Sequence, residues 1–193
     1  MTALRESDPA LAATPDLAVA RTLLAAWEAP NAEQSAVRDR MVAFIDAHPD
    51  DAHRRSCVPG HLTASALVVE DGGRRALLCE HRKLGLWLQV GGHCDGDANL
   101  AACALREARE ETGIAGLEID PVPIDVDVHV IPAHGRDPEH LHLDTRFLIR
   151  APAGAAPVCS AESLSLAWFD RRGVEALETD GSVRRLFAHL RPD

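Results

Sequence analysis

Apolar residues recur at three- and four-residue intervals in two stretches near the start of the chain. Residues 16–29 carry Leu17, Leu24 and Trp27, and residues 31–48 carry Val37, Met41, Phe44 and Ile45. This period predicts two helices. Asn31 is placed to cap the second, and Pro49 follows its end. From His61 the pattern changes to strands, over 62–69 and 76–81, on either side of an Asp71-Gly72-Gly73 turn. A short apolar piece, 86–90, leads into a glycine-rich loop containing Gly91, Gly92 and Gly96. The clearest strands are 122–131 and 140–150, joined across 132–139. A last strand is expected at 165–170, followed by helices near 172–178 and 181–190. Residues 151–157 read as a loop, and no internal repeat is present. Alternating helix and strand blocks with antiparallel hairpins predict an α/β protein with a mixed sheet.

Between the glycine loop and the strand at 122 lies a two-faced helix. Ala101, Leu105, Ala108 and Thr112 recur at helical spacing and should face a core. Asn99 is a suitable N-cap, and Gly113 stands where a terminating glycine would. The other face gathers Glu107, Glu110 and Glu111, with Arg106 beside them. Positions i, i+3 and i+4 are neighbours on a helix, so these like charges repel. A hard divalent cation with oxygen ligands would remove the conflict. Taken alone, a Glu-Glu pair more often marks a solvated helix face.

The fixed spacing of the whole segment carries more information. It resembles the Nudix box, Gly-x5-Glu-x7-Arg-Glu-U-x-Glu-Glu-x-Gly-U, with U aliphatic. Gly92, Arg106, Glu107, Glu110, Glu111, Gly113 and Ile114 match, and Ala108 takes the first U position. Ala98 stands where the family has its first glutamate, with Asp95 and Asp97 close enough to substitute. The resemblance implies a Nudix-type α/β/α sandwich with a mixed sheet, preceded by an N-terminal helical segment. The boundaries it implies are 1–58 for that segment and 59–193 for the Nudix hydrolase domain. It further implies Mg²⁺-dependent hydrolysis of a phosphoric anhydride bond in a nucleoside diphosphate linked to another group, with Mn²⁺ as a substitute ion. By the family's pattern Glu107 and Glu111 are the main metal ligands, completed by Glu110 and the carbonyl of Gly91, while Arg106 orients Glu107. Arg106, Glu107 and Glu110 are thus the expected catalytic residues.

Composition narrows the partners. The 193-residue chain has a net charge of −10, which disfavours a nucleic-acid polymer or an anionic membrane. No apolar run approaches the length of a membrane span, and residues 1–9 lack a signal-peptide core. Five scattered cysteines without a Cys-x-x-Cys pair indicate neither a zinc ribbon nor a disulfide framework. These features predict a cytoplasmic protein, and the resemblance implies that it is an enzyme acting on a small nucleotide-type diphosphate. The N-terminal helices could cover the cleft or build a homodimer.

Further candidates lie outside the helix. Asp125, Asp127 and His129 share one face of their strand, as do His140, His142, Asp144 and Arg146 of theirs. If the two strands form a hairpin, that face could line the cleft, with His142 and Asp144 contacting substrate, or it could be a surface of cross-strand charge pairs. His140 and His142 could also ligate a metal, but the sequence fixes no third ligand. His81 and Arg82 end a strand and could meet substrate phosphate; an ordinary surface strand end is the commoner case. Trp87, Trp168 and Phe169 read as core. Cys94 lies among acidic groups that work against a thiolate. The stretch Trp87 to Cys94, with His61, His81 and His93, also resembles isopentenyl-diphosphate isomerases, although the chain has no tyrosine for proton transfer. A non-catalytic nucleotide-binding module is the third alternative.

Overall fold

The computed structural model describes residues 3–135, 138–160 and 163–192. Two helices come first, α1 (Leu17–Ala26) and α2 (Ala32–Ala47). Asp16 caps α1 by accepting from the Ala18 amide, and Asn31 caps α2 by accepting from Gln34. The strands are β1 (Leu4–Arg5), β2 (Gly60–Val69), β3 (Ala76–His81), β4 (Trp87–Leu88), β5 (Val90–His93), β6 (Glu118–Ile131), β7 (His140–Arg150) and β8 (Ser163–Phe169). The two-faced helix is α3 (Leu100–Thr112), and α4 (Gly181–Leu186) lies near the end.

The sheet runs β1-β6-β7-β2-β3-β4, with β5 also pairing β2 and β8 pairing β3. β2 and β7 are parallel and the other pairs antiparallel, so the sheet is mixed. Every residue of β2 is buried, and its side chains alternate between two cores. Leu62, Ala64, Ala66 and Val68 pack in the core that also takes residues of α1, α2 and α3. Leu67 and Val69 enter a second core with Val183, Leu186 and Phe187. Two covered faces make the expected α/β/α layering, and explain why β2 reads as a nearly continuous apolar run.

The N-terminal helices are part of this packing. Leu11, Leu17, Leu24, Met41 and Ile45 share a core with Leu100, Leu105, Val126 and Phe147. Gln34 of α2 binds the β6 backbone twice, donating to the Val126 carbonyl (3.1 Å) and accepting from its amide (3.0 Å).

Three local differences from the sequence pattern have physical causes. β6 begins at Glu118 rather than 122, because its register shifts around Pro121 and Pro123 and conceals the alternation there. Proline lacks an amide donor and is tolerated at such irregularities. The expected helices at 172–178 and 181–190 are a 3₁₀ turn, Gly173–Ala176, and α4 followed by a 3₁₀ turn, Phe187–His189. Gly91 and Gly92 belong to β5 instead of a loop. A Cβ on Gly91 would fall 2.3 Å from Cβ of Ser65, so glycine is what lets β5 lie against β2 there. In the 132–139 connection, residues 136 and 137 lie outside the described residues.

Candidate active site

α3 is held at both ends as its sequence predicts. The Asn99 side chain accepts from the Ala102 amide at 3.3 Å, and Gly113 closes the helix in the left-handed conformation with its amide donating to the Arg109 carbonyl at 2.9 Å. Ala101, Leu105, Ala108 and Thr112 are buried, which turns the glutamates outward beside β5.

Glu107 is the most enclosed of the three, with its side chain 14% exposed. Its Oε1 accepts from the Arg106 guanidinium at 2.5 Å, and the same guanidinium donates to the His93 carbonyl at 2.8 Å. A Cβ on Gly92 would come within 2.4 Å of Glu107 Oε2, so the glycine clears the space that the carboxylate fills. Burial raises the Glu107 pKa and Glu110 adds to the rise, while Arg106 works against it without winning. Glu110 is exposed, 3.8 Å from Arg106. Oε1 of Glu111 accepts from the Gly91 amide at 2.7 Å, tying α3 to β5.

The position of Ala98 is closed off. Ala98 is fully buried, and its amide donates to the Thr14 carbonyl at 2.6 Å. Asp97 accepts from the amides of Thr14 and Asn99, both at 2.9 Å, and the Asn99 side chain donates to the carbonyls of Ala10 and Ala12. Asp95 is paired with Arg55 at 2.8 Å. The N-terminal segment therefore lies directly on the loop where the family carries a glutamate, and both nearby aspartates are engaged.

The polar face of the β6–β7 hairpin forms two clusters. The first is ionic. Arg146 is 2% exposed, and lies 2.9 Å from Asp144, 3.3 Å from Asp125 and 3.4 Å from Asp127. Arg185 of α4 joins through Asp125 at 2.7 Å. Cross-strand pairing thus occurs, but beneath α4 and not in solvent. Asp144 also accepts from Ser65 (2.7 Å) and Thr63 (3.2 Å), so its oxygens are turned into the protein. The second cluster is aromatic. The rings of His61, His93 and His142 lie 4.9–5.0 Å apart, His140 lies 5.0 Å from His61 and 5.3 Å from His142, and His129 lies 5.5 Å from His142. Burial and the surrounding imidazoles push His61 down to about 4 and His142 down to about 2.

The remaining candidates stand elsewhere. His81 pairs with Ser163 of β8 and its Nδ1 accepts from the Leu84 amide at 3.3 Å, while Arg82 donates to the Ser163 carbonyl at 3.2 Å. Cys94 is buried, and its contact with Cys103 together with burial raises its pKa, which makes it a poor nucleophile or proton carrier. Trp87 and Phe169 pack edge to face at 4.9 Å in the second core, and Trp168 packs against the first.

Among the described residues, ligand atoms converge within 4.8 Å in two triples, His61–His140–His142 and His48–Asp51–Cys57. Sequence reasoning missed the first as a unit. Its spacing marks His140 and His142, but His61 arrives through the parallel pairing of β2 with β7. Arg185 of α4 was likewise not singled out as a counter-charge of Asp125.

A model of the NUDIX domain matches residues 59–190. The chain belongs to the Nudix family. Membership carries the class of chemistry, hydrolysis of acid anhydrides, and agrees with the resemblance of residues 92–114. Solved structures with a similar fold include the E. coli dihydroneopterin triphosphate pyrophosphohydrolase, at 19% identity and TM-score 0.55 over 65% of this chain and 91% of that one. A C. elegans Ap4A hydrolase follows at 17% and 0.54, over 66% and 93%. A MutT NUDIX hydrolase from Burkholderia pseudomallei gives 21% and 0.52, over 68% and 98%. At these identities the likeness speaks for the fold. No curated protein sequence matches the chain. Among the described residues, no helix is long and apolar enough to cross a membrane.

Proposed function

We propose that this Nudix protein catalyses Mg²⁺-dependent hydrolysis of a phosphoric anhydride bond in a small substrate, a nucleoside diphosphate linked to another group. The observation that carries the reading is the Glu107 carboxylate, buried against Gly92 with a raised pKa that Arg106 fails to reverse. Such a group favours additional positive charge. The donor set the family pattern implies, the carboxylates of Glu107, Glu110 and Glu111 with the Gly91 carbonyl, is all oxygen and suits Mg²⁺ or Mn²⁺. The three carboxylates would have to draw together from more than 4.8 Å to share an ion. When bound, such an ion supplies charge neutralisation of the phosphates and a more acidic water.

The protein's own part is to position. Arg106 fixes Glu107 by bridging it to the His93 carbonyl, and Glu111 fixes β5 through the Gly91 amide. Water adds at phosphorus, the bridging P–O bond breaks toward the leaving phosphate, and the water's proton passes to a carboxylate of this face. We assign Glu110, which is exposed to solvent, to hand it on. We assign Asp144 a positioning role, since it supports β2 from below through Thr63 and Ser65. His81, Arg82 and His142 are assigned to substrate contact on their position at the strand ends.

The net charge of −10 supports a small substrate over a nucleic-acid polymer, and a cytoplasmic location agrees with the buried free thiols. Nucleoside triphosphates, nucleotide sugars, ADP-ribose and dinucleotides, each with Mg²⁺ or Mn²⁺, form the test. Phosphate and pyrophosphate release are read separately. Release that disappears in Glu107→Gln supports the reading; a folded protein inert toward the whole panel rejects it.

A further inference from the structure

Beside the glutamate helix the structure holds a group of three histidines, of which the hydrolysis proposed above uses only His142, for contact with substrate. His61 of β2 is 4% exposed, and neither of its ring nitrogens has a hydrogen-bond partner. A neutral imidazole carries one donor and one acceptor, and leaving both unmet in a buried place is destabilising. Two of the rings packed around it are imidazoles of β7. His142 faces it directly in the parallel β2–β7 register, and His140 lies two residues earlier on the same face of β7. Their rings stand 4.9 and 5.0 Å from that of His61 and 5.3 Å from each other.

We propose that His61, His140 and His142 form a binding site for one borderline divalent transition-metal ion of the zinc class, separate from the carboxylate site on α3. Imidazole nitrogen suits zinc, whereas magnesium and calcium prefer oxygen. Three histidines with a fourth position open is a recurrent zinc arrangement. The nitrogens now lie within 4.8 Å of one another. Zn–N bonds of about 2.0–2.1 Å in a tetrahedron place ligands about 3.3 Å apart, so the nitrogens must close by about 1.5 Å at most. Part of the required orientation is already set. Nδ1 of His140 lies 2.8 Å from the Pro138 carbonyl, which can only accept, so Nδ1 carries the proton and Nε2 keeps its lone pair for a metal. The site adjoins the hydrolytic face through β5: His93, whose ring is 5.0 Å from His61, follows Gly92, which borders Glu107.

The experiment uses the full chain stripped with EDTA and titrated with Zn²⁺ by calorimetry, and with Co²⁺ by visible absorption. The expected result is one zinc per chain, intense four-coordinate cobalt bands, and thermal stabilisation by zinc. His140→Asn, at the half-buried start of β7, and His61→Asn should each weaken zinc binding at least tenfold. Circular dichroism selects the variants that fold, and His140→Asn keeps the test open if His61→Asn does not. The double variant Glu107→Gln/Glu111→Gln should keep zinc affinity within about twofold while losing the hydrolysis proposed above, which separates failure of one reading from failure of the other. Absence of zinc binding by the wild-type chain overturns the proposal. So does zinc affinity unchanged in His140→Asn, or lost in the glutamate double variant.

Discussion

Two carboxylates of this protein, Glu107 and Asp127, are both largely withdrawn from water, and their proton affinities are shifted in opposite directions. Burial works against the charged form of each. At Asp127 a hydrogen bond from His129 and the fields of Arg146 and Arg185 outweigh burial, and the pKa falls. At Glu107 a single arginine, with Glu110 nearby, does not outweigh it, and the pKa rises. The first carboxylate belongs to a charge cluster completed by the protein itself. The second belongs to one that calls for a cation from outside. Acidic residues alone do not mark a site; the balance of fixed positive charge around them separates structure from chemistry.

The sharpest way to break that contrast is at Glu107. Glu107→Gln should lower anhydride hydrolysis roughly 10³-fold, since metal-assisted charge stabilisation is worth several kcal/mol in the transition state. Its melting temperature should hold, because a costly buried charge is removed. Retained turnover would place the chemistry elsewhere. The converse change is Arg146→Met, which leaves three aspartates beneath α4 with Arg185 as their remaining arginine. Loss of one partner from such a buried group costs about 3–5 kcal/mol. Urea unfolding reads it directly, and a change below about 1 kcal/mol would mean the cluster is not what holds β6, β7 and α4 together.

A smaller effect is expected at Ala98. Restoring the family's glutamate there places a long charged side chain under Thr14, so Ala98→Glu should destabilise by about 1–3 kcal/mol and lower activity with it. Equal stability and faster turnover would show that the strap of residues 10–14 yields easily. The mildest test is acid. Asp127 binds its proton more weakly folded than unfolded, so its contribution is present above about pH 4 and is lost as pH falls through the lower folded value. Stability of Asp127→Asn should therefore decline less than wild type between pH 6 and pH 3. Parallel curves would remove Asp127 from the account.

Local chemistry was legible in the sequence, and long-range partnership was not. The caps at Asn31 and Asn99, the terminating Gly113 and the two-faced α3 follow from short-range spacing, and each stands where the pattern puts it. The polar face of the β6–β7 hairpin was legible too, but not its burial, because α4 comes from 35 or more residues further on. The glycine pair reads as a loop from composition and is a strand because it pairs with β2, where Ser65 leaves no room for a Cβ at Gly91. Ala98 stands out against the family pattern, yet the strap that closes over it carries no motif. His61 and His142 belong together only through a parallel register that no local period encodes.

That register has a consequence for how the molecule comes together. Thr63 and Asp144, which meet across β2 and β7, are separated by 81 positions along the chain. Closing so long a segment costs chain entropy before any contact repays it, whereas the caps of α3 form within a few residues. The helix bearing the glutamates can thus be shaped early, while the imidazole group and the support under Ser65 exist only after β7 has docked. Any strain that peels β7 from β2 undoes both together.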